Sequence, residues 1–359
     1  MPLPTIPEYS TSIKTPALVH PTVLQGGHPI EKGVRLVKYA GGFCVVFPFQ
    51  TPTKKYAVRC WHAEVANAKR RTQLIADAIH QSSLPYFVGF EYHQDGIMTP
   101  QGIQPLVVMD WVDAQPLKKY ICEHLHESNT LNTIAANFMQ MAKDLHAHNF
   151  SHGDLQHGNV MVRQDKSLVL VDYDSMYVPA LQGFEDDIKG LIGYQHPARW
   201  KCKDATPKAD YFSELVIYLS LKALAKDPKL WYDLQMEDTE TLLFNADDIE
   251  SKGTSDIFSR LQQDEELKPL VEKVAEFLQK TSIEDLEPLE NATISKVETI
   301  SGKWKSGNGY VPTAPQKGKV ESSNNISAKW GGGNGYVAPK KQDTEELIQS
   351  ISSKFKRPE

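Results

Sequence analysis

Phe150-Ser-His152-Gly153-Asp154-Leu-Gln156-His-Gly-Asn159-Val-Met161-Val, followed by Ser167-Leu-Val-Leu-Val-Asp172-Tyr-Asp174, is the stretch on which the fold of this chain turns. Asn159 lies five residues after Asp154, and Asp172 thirteen after Asn159, at the end of an apolar, strand-like run. Phosphoryl transfer from ATP requires such a set: one carboxylate to accept a hydroxyl proton, and an amide and a second carboxylate to hold a divalent cation on the phosphates. Just before it, Leu131, Ile134, Phe138, Ala142 and Leu145 recur every three or four residues, the period of a helix with one buried face.

Upstream the period changes. Arg35 to Tyr39, Phe43 to Phe47 and Tyr56 to Trp61, separated by Gly41-Gly42 and Thr51-Pro52-Thr53, read as antiparallel strands. A helix is expected over about 62–82, then strands in Tyr86-Phe-Val-Gly-Phe-Glu-Tyr92 and Pro105-Leu-Val-Val-Met-Asp-Trp111. Downstream, 210–224 and 269–278 carry further helical patterns. Residues 1–30, with six prolines and no sustained periodicity, read as an extended or poorly ordered arm.

These motifs resemble the protein-kinase superfamily. H-G-D-L-x-x-x-N stands in place of the catalytic loop, and Asp172-Tyr-Asp174 where protein kinases have D-F-G. Asp154-Leu-Gln-His-Gly-Asn, Val171-Asp-Tyr-Asp-Ser-Met-Tyr-Val-Pro and Tyr194-Gln-His-Pro197 look like a bacterial kinase-like family within it. The resemblance covers about 30–290 and implies an α+β, two-lobed fold. A small antiparallel-sheet lobe (31–112) would be joined to a larger, mainly helical lobe (113–290), with a flexible C-terminal tail (291–359). It further implies Asp154 as catalytic base, Asn159 and Asp172 as ligands of Mg2+ or Mn2+, and an ATP site. That site would draw on Gly41, Gly42 and Val46 of the glycine-rich loop, Ala57 and Arg59 of the V-A-I-K strand, Asp110 and Val112 of the hinge after Met109, and Met161 as adenine floor. Asp210 would brace the catalytic loop.

The departures are as specific as the matches. Arg59 replaces the strand lysine, Gly153 the arginine of H-R-D and Gln156 the catalytic-loop lysine, and Ala198 stands where the closing glutamate belongs. Ile75 falls where a helix glutamate should pair with the strand cation. Gly153 removes the arginine that would read an activation-segment phosphate. Three readings stay open: a serine/threonine-type protein kinase, a pseudokinase scaffold that binds nucleotide and partners, and a kinase of small molecules.

The chain has 359 residues and a net charge of −6, so bulk charge does not mark a nucleic-acid binder. Residues 301–359 nevertheless carry +5, leaving −11 for residues 1–300. This tail repeats Lys-Trp-x-x-Gly-Asn-Gly-Tyr-Val, at Trp304/Tyr310 and again at Trp330/Tyr336. Asn-Gly between the two aromatics is a turn signal, and two copies on a polar tether suggest bivalent docking to a protein partner. Cys44, Cys60, Cys122 and Cys202 form no C-x-x-C pair and read as reduced thiols. Without thiol partners, the crowding of His146, His148, His152 and His157 is a weak zinc signal. No leader or membrane-length apolar run is evident, so a cytoplasmic protein with no membrane contact is expected.

Overall fold

A computed structural model describes residues 3–41, 43–64, 67–186 and 188–293. Gly42 and the tail from residue 294 onward, with both aromatic repeats, lie outside these described residues.

Among the described residues the first half of the chain forms a six-stranded antiparallel sheet. Its main strands are β1 (Cys44–Gln50), β2 (Lys55–Trp61), β3 (Phe90–Thr99) and β4 (Gly102–Asp110), in the order β1-β2-β4-β3. The short strands His28–Pro29 and Tyr39–Ala40 both pair with β1. Helix α1 (Ala68–Ser82) packs on one face and buries Thr72, Ile75, Ala76 and Ile79. The strand expected at 86–92 begins instead at Phe90, because Tyr86 and Val88 are engaged with the second half: Leu170 N–H donates to the Tyr86 carbonyl (2.7 Å), and Val88 N–H to the Tyr173 hydroxyl (3.0 Å).

The proline-rich leader is not an extended arm. Side chains alternate across a strand, so Val45, Phe47, Phe49, Val58, Cys60, Leu106 and Val108 all face away from α1. That apolar face has to be covered, and residues 5–24 cover it. A capping box of Thr5 and Glu8 starts the short helix Ile6–Ser12, whose Tyr9 is buried and donates its hydroxyl to the Trp61 carbonyl (2.9 Å). Ile13, Val19 and Leu24 complete the layer.

The second half is helical, built on α2 (Leu117–Glu123), α3 (Ser128–Ala147), α4 (Tyr211–Lys226) and α5 (Lys268–Gln279). Leu131, Ile134, Phe138, Ala142 and Leu145 of α3 are fully buried against α4, as their period requires. Asn149, in the left-handed region (φ 52°), follows α3 and turns the chain into the loop before β5 (Val160–Val162) and β6 (Leu168–Leu170). Leu289 and Ala292 are still buried in the helical core, so the packed part runs just past residue 290. Among the described residues no helix is long and apolar enough to cross a membrane.

The four crowded histidines have separate partners. His148 Nδ1 contacts the Asp144 carbonyl (2.8 Å), His157 Nδ1 the Tyr194 hydroxyl (2.7 Å), and His152 Nε2 the Val171 carbonyl (2.9 Å). His146 sits between Glu214 (2.9 Å) and Glu290 (2.9 Å), joining α3 to α4 and to the last described helix. Burial alone would lower its pKa, but the hydrogen bond and charge of Glu214, with Glu290, raise it to about 9. A group whose pKa is raised on folding stabilises fully below its unfolded value near 6.5 and loses that contribution as pH rises through its folded value. Denaturant titrations of the wild type should therefore lose on the order of 2–3 kcal/mol between about pH 6.5 and pH 9.5. His146→Gln should be less stable at pH 6.5 and show a flatter profile; identical profiles would refute the assignment.

Candidate active site

Between the sheet and the helical part lies a cleft of about 600 Å³. Register decides which strand residues reach it: Val46 faces Arg59 and Pro48 faces Ala57 across β1 and β2, while Ala57 faces Met109 across β2 and β4. Val46, Ala57 and Arg59 thus share the lining with Gly41, Met109, Asp110 and Val112, and Met161 of β5 lines it from the helical side. The Asp110 carboxylate pairs with Lys54 (2.6 Å), and the Lys55 ammonium lies over the Trp111 ring (3.5 Å to its centre). The Val112 amide donates no hydrogen bond among the described residues.

Asp154 and Asp172 line the same cleft, whereas Asn159 lies behind Asp154 and is nearly buried. The Asn159 Nδ2 donates to the Asp154 carbonyl (2.8 Å) and to its Oδ2 (3.2 Å), which leaves Oδ1 as the amide atom able to ligate a cation. The Leu191 N–H donates to Asp154 Oδ1 (3.0 Å). Gly190 permits this approach: it has φ +77°, and a Cβ there would sit 2.6 Å from that same oxygen. Desolvation raises the Asp154 pKa above the ordinary aspartate value, partly offset by His152 and by the Leu191 and Asn159 hydrogen bonds.

Asp210, just before α4, accepts the amides of both His152 and Gly153, the latter at 2.9 Å. The Asp154 N–H donates to His152 Nδ1 (3.3 Å), so the ring proton resides on Nε2, which donates to the Val171 carbonyl beside Asp172. One histidine therefore ties the loop carrying Asp154 to the segment carrying Asp172. The absence of an arginine after His152 has a steric cause: residue 153 has φ +78°, and a Cβ there would collide with the Ser175 carbonyl.

Asp172 also has a positive φ (67°), in a region uncommon for a residue with a side chain and found at functional sites where neighbours enforce it. The enforcing neighbour is Tyr173. It is buried, its hydroxyl donates to the Leu170 carbonyl (2.7 Å), and it stacks edge-on against Phe87 and Phe90. With Tyr173 plugged inward, Asp172 and Asp174 both line the cleft. Desolvation raises the Asp172 pKa, Asp174 raises it further, and Arg59 opposes. Asp172 and the Asn159 amide supply hard oxygen donors of the kind Mg2+ or Mn2+ takes, these ions characteristically accepting only one or two carboxylates alongside substrate phosphates. Among the described residues no group of three or more carboxylate, histidine or thiol ligands gathers into a self-sufficient metal site.

Sequence reading missed two partners. Arg59 forms an ion pair with Asp174, a residue for which the motif resemblance supplies no role. Arg199, almost fully buried, forms a two-pronged pair with Asp186 (Nε–Oδ2 3.1 Å, Nη2–Oδ1 3.0 Å) and also donates to the Gly153 carbonyl. Lys189 adds a second cation to Asp186 (3.0 Å). This buried pair ties the segment between Asp172 and α4 to the loop carrying Asp154. No sequence signal marked it, because an isolated Asp and an isolated Arg thirteen residues apart have no motif.

The family description that matches the chain is the ABC1 atypical kinase-like domain, over residues 98–183. This interval runs from the end of β3 through the loop carrying Asp154, and includes Asp172 and Asp174. Over these residues the chain is similar to protein-kinase-like folds. No curated protein matches it. The kinase-like assignment agrees with the α+β arrangement, a curled antiparallel sheet followed by a helical part, and supports phosphotransferase chemistry or a scaffold derived from it. Gly153→Ala should cost about 1–3 kcal/mol of stability, because the side chain must displace the Ser175 carbonyl at a positive φ. A melting temperature equal to the wild type's would show that the 153–175 contact is not a constraint.

Proposed function

We propose that this chain transfers the γ-phosphoryl group of ATP to a serine or threonine hydroxyl of a protein, with Mg2+ or Mn2+ as the divalent ion. The observation that supports it most directly is the convergence of Asp154, Asp172 and Arg59 on one cleft, lined also by Val112, whose backbone amide makes no hydrogen bond among the described residues. The apolar surfaces of Val46, Ala57 and Met161 sandwich the adenine, and the Val112 amide donates to a ring nitrogen. Arg59 contributes positive charge at the phosphates, with a planar fork where a lysine would offer a point charge. Asn159 Oδ1 and Asp172 hold the divalent ion, which when bound neutralises charge on the phosphate oxygens.

Asp154 takes the proton of the acceptor hydroxyl as its oxygen bonds to the γ-phosphorus and the bond to the β-phosphate oxygen breaks, releasing ADP. Each Asp154 oxygen accepts one hydrogen bond in the protein and retains capacity for another. The base works only when ionised. Its raised pKa places the acid limb of the rate profile above that of an ordinary aspartate. A protein acceptor is favoured over a small molecule by the 186–199 segment, pinned beside Asp154 by Arg199 and Asp186, which offers a fixed platform for a peptide. That pin uses a carboxylate already in the chain, so activity should not require phosphorylation of this segment.

Asp154→Asn should lower phosphate transfer at least about a hundredfold, within the range for loss of a general base, while leaving Mg·ATP affinity nearly unchanged. Asp172→Asn should weaken Mg·ATP binding as well. Intact-mass measurement after incubation with Mg·ATP, beside calorimetric titration, checks both; equal transfer by wild type and Asp154→Asn would refute the base assignment.

We further propose that the Trp304/Tyr310 and Trp330/Tyr336 repeats dock a protein partner or substrate. Deleting 296–359 should abolish co-purification of that partner while leaving Mg·ATP affinity intact. Unchanged co-purification would overturn the docking role.

A further inference from the structure

A cation that faces nucleotide phosphates from a strand needs something to hold it in place, and here α1 does not do so. Position 75, on the buried face of that helix, is an isoleucine. The contacts of Arg59 locate the substitute. Its Nη2 donates to Asp174 Oδ2 and to Cys44 Sγ (2.9 Å), using both hydrogens of that nitrogen. Its Nε and Nη1 make no hydrogen bond among the described residues, although the side chain lines the cleft and is only 7% exposed. Nη2 is spent on the protein, and the N–H donors of Nε and Nη1 remain open among the described residues.

We propose that Asp174 is a positioning residue for the nucleotide: by gripping Nη2 it orients Arg59 so that an open N–H donor of Nη1 or Nε meets a phosphate oxygen. The inference rests on the phosphotransfer reading above and assigns a function to a residue that reading does not use.

Asp174 can act this way because it is itself fixed. Tyr173 anchors the preceding residue in the core, and Arg71 of α1 donates from Nε to the Asp174 carbonyl (3.0 Å) and from Nη2 to the Met176 carbonyl (3.0 Å). The helix thus contributes through Arg71 and backbone carbonyls of the 174–176 segment, where an acid on the helix would have reached the strand cation directly. The arrangement also accounts for arginine at position 59. An ammonium is a point charge, whereas a guanidinium is a rigid planar set of donors that can hold a carboxylate at one nitrogen and a phosphate oxygen at another. Without Asp174, a nearly buried guanidinium would be left without its counter-charge, and the desolvation penalty would favour its moving toward solvent.

The test uses the full-length chain, with calorimetric titration of Mg·ATP into wild type, Asp174→Asn, Asp174→Ala, Arg59→Ala and the Arg59→Ala/Asp174→Ala pair, and KM and kcat for ATP where turnover is measurable. Asp174→Ala should weaken Mg·ATP binding and raise KM about tenfold with kcat within about threefold, the scale of one charge-assisted contact. Asp174→Asn, which keeps the shape and one acceptor oxygen, should weaken binding about threefold and serves as the test variant if the alanine form does not fold. In the Arg59→Ala background, Asp174→Ala should have no further effect, because a residue acting through Arg59 has nothing left to orient. Unchanged or tighter binding by the Asp174 variants, or full additivity in the pair, would overturn the proposal. A wild type that does not bind Mg·ATP would instead overturn the phosphotransfer reading on which it rests, and that measurement comes first.

Discussion

Two backbone amides, those of His152 and Gly153, converge on the carboxylate of Asp210, and the placement of Asp154 follows from that convergence. The Asp210 side chain is almost fully enclosed at the start of the largely buried helix α4, so the loop carrying Asp154 is anchored to the core of the helical part. A charge-assisted bond to a backbone amide is stronger than a neutral one, and two on one carboxylate leave the loop little freedom to rotate. His152 then passes the register on, through its Nδ1 to the Asp154 amide and through its Nε2 to the Val171 carbonyl. Asp154 and Asp172, the proposed proton acceptor and cation ligand, are thereby set by one chain of hydrogen bonds.

The site gathers Asp154, Asp172 and Asp174 around one cleft, and desolvation makes that concentration of carboxylates expensive without cations. Arg59 meets part of the need by pairing with Asp174, and burial alone would lower its pKa but the Asp174 charge more than reverses this. A divalent ion at Asp172 would meet the rest, which is one physical reason why nucleotide and metal should bind together. Deeper in the helical part the same logic appears: His146 is held charged between Glu214 and Glu290, so the buried Glu214 carboxylate keeps a partner inside.

Arg199 and Asp186 show how a segment that other systems can order by adding a phosphate can be ordered permanently. Both side chains are within 2% of full burial, the geometry is two-pronged, and Lys189 and the Gly153 carbonyl complete the set. Breaking such a pair leaves a buried, uncompensated charge at a cost of roughly 3–5 kcal/mol, so the segment has no inexpensive released state. This pinned segment also supplies the Leu191 amide that caps Asp154 Oδ1.

Short-range patterns, together with the kinase resemblance their motifs carry, gave the class of the fold and the main candidates of the site. The period of α3, the alternation in β1, β2 and β4, and the spacing of Asp154, Asn159 and Asp172 are local properties, fixed by backbone geometry and legible without coordinates. What the local pattern did not carry was pairing between distant residues. It left the leader unplaced, although the alternation that puts Val46, Ala57 and Arg59 in the cleft also puts Val45, Phe47 and Val58 on an outer face that Tyr9 and Ile13 must cover. It could not see that Asp174 supplies the acid missing at Ile75, or that Asp186 receives Arg199. Such contacts join side chains separated by up to 115 positions, and only the tertiary fold decides which charges end up enclosed together, because the need for a counter-charge arises only once water has been removed.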